Sequence, residues 1–148
     1  MPHLSGQVTP WGPLINVVVG VSGPRQQALT QAGQPIPPPV VAKLVVDTGA
    51  SLTSIDTTIL AQLALPPTGK VAIHTPSTQG KPHPADQFDV SIVLYGVSTN
   101  ILVYNVVALP VIDGSFKAQG IDGLLGRDIL AASRLTYAGP DGMYLMSF

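Results

Sequence analysis

The stretch Val40-Val41-Ala42-Lys43-Leu44-Val45-Val46-Asp47-Thr48-Gly49-Ala50-Ser51 decides how this chain reads. Its first seven residues are mostly aliphatic and β-branched, which suits a pleated strand, and the run stops at a carboxylate. An ionised Asp at the end of an apolar strand is costly unless it is paired or hydrogen-bonded. Gly49 allows a tight turn, and its N–H can return to a carboxylate held nearby. The segment therefore predicts a strand that delivers Asp47 into a loop able to hold its charge. The plainer alternative is a turn opened by Asp and followed by Thr-Gly. A lone Asp-Thr-Gly is weak evidence, so its weight must come from the rest of the chain.

Working outward, Leu14–Val21 reads as a strand before it. The linking segment from Ser22 to Pro39 carries five Pro and is expected to be a long exposed loop. Residues 1–13 are expected to form an irregular arm. Downstream, Asp56 can cap a short helix whose apolar Ile59, Leu60 and Leu63 recur at helical spacing, ended by Pro66 and Pro67. Val71–Ile73 and Phe88–Leu94 read as strands joined by a polar, Pro-containing hairpin that projects from the core. Ile101–Leu109 is a further strand, Asp113-Gly114 a turn, and Gly120–Leu130 leads into a second helix. Leu135 to Phe148 reads as a terminal hairpin about a Pro-Asp-Gly turn.

Composition sets limits on this picture. The 148 residues fit one domain. At 45% hydrophobic and 10% charged residues the chain is too apolar to be disordered. Val, Leu and Ile number 17, 16 and 10 against 5% aromatics, so the core must be aliphatic and β-rich. All eight acids are Asp, a residue of caps and turns. A net charge near −1 with no basic cluster argues against a nucleic-acid partner. The absence of Cys removes disulfides, thiolate nucleophiles and Cys-ligated metal. No secretory signal and no membrane-spanning stretch is seen. The compartment stays open, with the cytoplasm the simplest case.

Three features in order resemble the retropepsin-type aspartic proteases, the retroviral and retroviral-like class. They are the apolar strand ending in Asp47-Thr48-Gly49-Ala50-Ser51, the polar Gly-containing hairpin at about residues 72–86, and Gly123-Leu124-Leu125-Gly126-Arg127-Asp128-Ile129-Leu130. The resemblance covers roughly residues 14–147. It implies an all-β, retropepsin-like acid protease barrel with one or two short helices, active as a homodimer and needing no cofactor or metal. In that family two carboxylates share one proton and activate a water. This chain has a single Asp-Thr-Gly, so the second catalytic Asp47 must come from a twin subunit on a two-fold axis.

The resemblance further implies that Thr48 bonds across that axis and that Gly49 and Ala50 contact an extended peptide substrate. Ile73, His74, Thr75, Ser77 and Gly80 belong to a flap that closes over it, and Gly126, Arg127 and Asp128 are structural. Two departures stand out: Pro76, Pro82 and Pro84 in the hairpin, and Ser51 where retroviral members carry an acid that pairs with the helix Arg. The C-terminal strand could join an intersubunit sheet or stay in its own subunit. Trp11 is either a core anchor or a dimer contact.

Other readings carry less. His74 and His83 as a metal pair would be nine residues apart across a Pro-rich hairpin. Ser51, Ser54 and His74 lack the Gly-x-Ser-x-Gly context of a hydrolytic triad. Two rivals remain: a retropepsin-like fold used only for dimerisation or peptide binding, and an unrelated all-β ligand-binding domain.

Overall fold

The computed structural model describes residues 1–74, 79–96 and 100–148. Its described strands are β1 (His3–Thr9), β2 (Gly12–Val21), β3 (Val40–Val46), β4 (Ser54–Asp56), β5 (Gly69–Ile73), β6 (His83–Tyr95), β7 (Leu102–Gly114), β8 (Gly123–Leu125), β9 (Arg134–Ala138) and β10 (Met143–Ser147). Short helices α1 (Gly23–Gln31), α2 (Thr57–Gln62) and α3 (Arg127–Leu130) lie between them. The strand order is β5-β6-β7-β4-β8-β3-β2-β1-β10-β9, and an extra β6–β2 pairing closes the middle six strands into a ring. Closure removes exposed edges from the ring and encloses an aliphatic core. Val19, Leu44, Ile55, Val90, Ile92, Leu94, Leu125 and Ile129 are all fully buried there.

Two parts lie outside the ring. β5 is an edge strand paired only with β6, in register Ile73↔His83. On the other side β10 is bonded to both β1 and β9, so the C-terminal strand stays within its own chain. Tyr144 fastens this three-stranded layer to the ring: its hydroxyl donates to the Leu14 carbonyl at 2.7 Å. Its ring fits only because position 6 is glycine, where a Cβ would lie 2.7 Å from it.

Several expectations need correction. Residues 1–13 are not an irregular arm, since His3–Thr9 is a strand with β10 as partner and Pro2 and Pro10 fall outside it. The 22–39 segment is not wholly loop. Ser22 caps α1 by accepting from Arg25 N–H, Pro24 sits in the first turn where its missing N–H costs nothing, and residues 25–32 hold no Pro or Gly. β6 starts at His83, earlier than Phe88, and its Ala85 is buried; Pro84 is tolerated near the strand's free end. Asp113-Gly114 is no turn, because parallel pairing with Ile55 and Asp56 keeps it extended. The second helix is confined to Arg127–Leu130, since Gly123–Leu125 is drawn into the ring as β8. Trp11 is exposed at the β1–β2 turn, so it is no core anchor.

Asp56 does cap α2, accepting from Thr58 N–H at 2.9 Å. The terminal hairpin also forms as read. No helix among the described residues is long and apolar enough to cross a membrane.

Candidate active site

The site is set by one pairing that spans the chain. β3 and β8 run parallel, with Leu44↔Gly123, Val45↔Leu124 and Val46↔Leu125 in register, so both strands end on the same side. The Asp47 loop and the Gly126-Arg127-Asp128 segment therefore emerge together, and Asp47 N–H donates to the Leu125 carbonyl at 2.9 Å. The end of β3 is buried on both faces, as parallel strands usually are.

Asp47 is half-buried, and Thr48 and Gly49 beside it are exposed. Gly49 N–H donates to Asp47 Oδ1 at 2.8 Å, the short return that the Asp-Thr-Gly spacing predicts. Arg127, which lacks an acidic partner at position 51, reaches instead to the loop backbone. Its Nη1 donates to the Thr48 carbonyl at 2.9 Å and its N–H to the Ala50 carbonyl at 2.8 Å. Gly126 is confined against Leu52, whose carbonyl carbon would lie 2.6 Å from a Cβ.

Asp128 supports the loop from below. It accepts from Thr53 N–H at 2.8 Å and from the Thr53 hydroxyl at 2.7 Å, and Thr53 Oγ1 in turn accepts from Gly126 N–H at 3.1 Å. Thr53 is wholly buried, and sequence reasoning missed it. The available signal was a hydroxyl residue between Leu52 and Ile55, where a buried polar group must find partners.

A cavity of about 520 Å³ opens over this floor. Asp47, Gly49, Ala50 and Leu124 line it, together with Ile73 and His74 from the β5–β6 hairpin. A second cavity of about 410 Å³ shares Ile73 and Asp113 with it and holds Lys70, His83 and Asp86. Gly80 lies just before β6 with a left-handed φ of 79° and does not line the Asp47 cavity. Thr75 and Ser77 lie outside the described residues. Asp113 Oδ1 accepts from Asp86 N–H at 3.0 Å.

Asp56 is the most strongly held acid. Burial by itself would raise its pKa, but bonds from the Thr58 hydroxyl and the Phe116, Thr58 and Lys117 N–H groups lower it to about 2. These bonds tie the start of α2 to the segment that brings Phe116 to the cavity.

A barrel whose parallel pair brings an Asp-Thr-Gly loop to a cavity and a Gly-Arg-Asp helix start against the back of that loop has an aspartic-protease architecture. The family model described as aspartyl protease matches residues 33–129, more than half of the chain, and the chain belongs to that family. Its fold is retropepsin-like. The crystal structure of a retropepsin-like aspartic protease from Rickettsia conorii matches with a TM-score of 0.58 and 15% identity, covering 97% of this chain and 89% of that one. No curated protein matches the chain.

Proposed function

We propose that this protein is an aspartic endopeptidase that works as a homodimer, with the Asp47 carboxylates of two subunits meeting on a two-fold axis. The observation that carries the proposal is Asp47 itself. It stands half-buried on the wall of a 520 Å³ cavity with only Oδ1 held, by Gly49, among the described residues. One carboxylate cannot both activate a water and protonate a leaving group. Two of them sharing a proton can, because like charges about 3 Å apart cannot both ionise.

In this mechanism the ionised Asp47 takes a proton from the attacking water while the protonated one donates to the scissile carbonyl. The roles reverse as the tetrahedral intermediate collapses, and no covalent intermediate forms. The chain has one Asp-Thr-Gly, and Asp113, the other acid on the cavity wall, is engaged with Asp86 N–H. The second carboxylate therefore comes from a second copy. Exposed Thr48 and Gly49 form the contact face beside it, with Thr48 bonding across the axis and Gly49 and Ala50 meeting the peptide backbone. Gly126, Arg127 and Asp128 hold the loop in place.

Substrate lies extended between this floor and the β5–β6 hairpin, which acts as the flap through Ile73, His74 and its tip. The proton-sharing pair places activity on the acid side of neutrality.

The test is cleavage of extended peptides by the parent and by Asp47→Asn, with sedimentation of both. The variant is expected to stay dimeric and to lose about a thousandfold or more in kcat/KM. Undiminished cleavage by Asp47→Asn would overturn the proposal, and a parent that binds peptides without cutting them would favour a binding module.

A further inference from the structure

Ser54 opens β4, facing Leu124 of β8 on one side and Ile112 of β7 on the other. It is 6% exposed, and the little surface it keeps is on the Asp47 cavity. Its buried polar neighbours in the chain are fully bonded: Thr53 to Asp128 and Gly126, and Asp56 to Thr58, Phe116 and Lys117. No hydrogen bond joins the Ser54 hydroxyl to another described residue, and its oxygen is open to the cavity, since no fully buried side-chain oxygen among the described residues lacks a partner. Ile73, Ile112, Phe116 and Leu124 give the cavity its apolar lining, and Asp47, Ser51, His74 and Asp113 are its other polar groups.

A hydroxyl open to the cavity is served by whatever enters it. An aliphatic side chain seated there displaces water and returns no hydrogen bond, whereas a hydroxylated one of the same shape replaces it. Apolar walls alone discriminate poorly between isosteres, but a buried polar group left unpaired penalises the ligand that lacks its partner. Leu124 and Ile112, which flank Ser54 in register, also line the cavity, so a side chain that reaches the hydroxyl packs its carbons against them.

Taking the Asp47 cavity as the substrate cleft, we infer that Ser54 makes this part of it a subsite for a short hydroxylated side chain, Thr or Ser, over isosteric Val. Ser54 is thus a specificity-determining residue.

The test uses pairs of extended peptides identical except for Thr or Val, with the exchange moved through each position flanking the scissile bond. For the parent, kcat/KM should favour Thr about tenfold at one position. In Ser54→Ala the Thr-to-Val ratio at that position should fall to about one. An unchanged ratio would overturn the inference while leaving the protease reading intact. The same pairs are titrated by calorimetry into Asp47→Asn and Asp47→Asn/Ser54→Ala. A Thr preference in binding that vanishes with Ser54 supports the subsite even where the parent cuts nothing, in which case the catalytic reading alone falls. Equal binding of both peptides by both variants counts against the subsite.

Discussion

The floor of the Asp47 cavity is tied to the ring by bonds that run between segments more than 70 residues apart in sequence, from Thr53 to Asp128 and from Arg127 to Thr48. The paired length of the β5–β6 hairpin has no such ties among its described residues. β5 is paired on one side only, and the Lys70–Asp86 ion pair that joins it to β6 is 74% and 36% exposed at its two side chains. In the proposed dimer a carboxylate that must meet its twin needs fixed geometry, and bonded neighbours such as Thr53 and Asp128 would supply it. Under the same proposal, a wall that admits and releases a polypeptide needs the opposite, an element held by few buried contacts. On that proposal the contrast assigns rigidity to the floor and adjustment to β5.

That contrast can be broken at the floor first. Thr53→Val keeps the side chain's shape but removes a donor to Asp128 and an acceptor for Gly126 N–H. Since Gly126 N–H is left unsatisfied in a buried place and Asp128 keeps only its bonds from the Thr53 and Ile129 N–H groups, the urea midpoint should drop by the equivalent of about 2 to 3 kcal/mol.

A smaller effect is expected at Asp56. Its pKa is near 2 in the fold against 3.8 as an ordinary carboxyl, so the stabilisation is fully present above about pH 4 and lost as pH falls toward 2. The loss is about 2 kcal/mol. Acid unfolding followed by fluorescence should shift in Asp56→Asn, whose stability changes less over that interval than the parent's. The hairpin gives the smallest effect. Lys70→Ala removes an exposed ion pair and should leave the thermal midpoint where it was. A large drop there would mean that the hairpin is as firmly built as the floor.

What was legible in the sequence follows the same division. Asp47-Thr48-Gly49 and Gly126-Arg127-Asp128 announce themselves because their chemistry is local: a strand end, a tight turn, a helix start. Thr53 did not, because its partners at Gly126 and Asp128 are brought to it only by the parallel β3–β8 pairing, which no local pattern encodes. The helix α1 was hidden by averaging, since the prolines of 22–39 crowd at its end and leave residues 25–32 free to coil. β1 was hidden by Gly6, which reads as a breaker but is the space that the Tyr144 ring requires. Ser54 was weighed only as a nucleophile, because nothing in sequence distinguishes a hydroxyl facing a cavity from one bonded to a neighbour.

The central claim is that two subunits each supply one Asp47, and mixing tests it most directly. Parent and Asp47→Asn chains are unfolded together, refolded in varied ratios at constant total protein, and assayed on one peptide. If each active unit needs two intact carboxylates, activity falls as the square of the parent fraction, to about one quarter in an equal mixture. A linear fall, to about one half, would show that a single chain acts alone and would contradict the account.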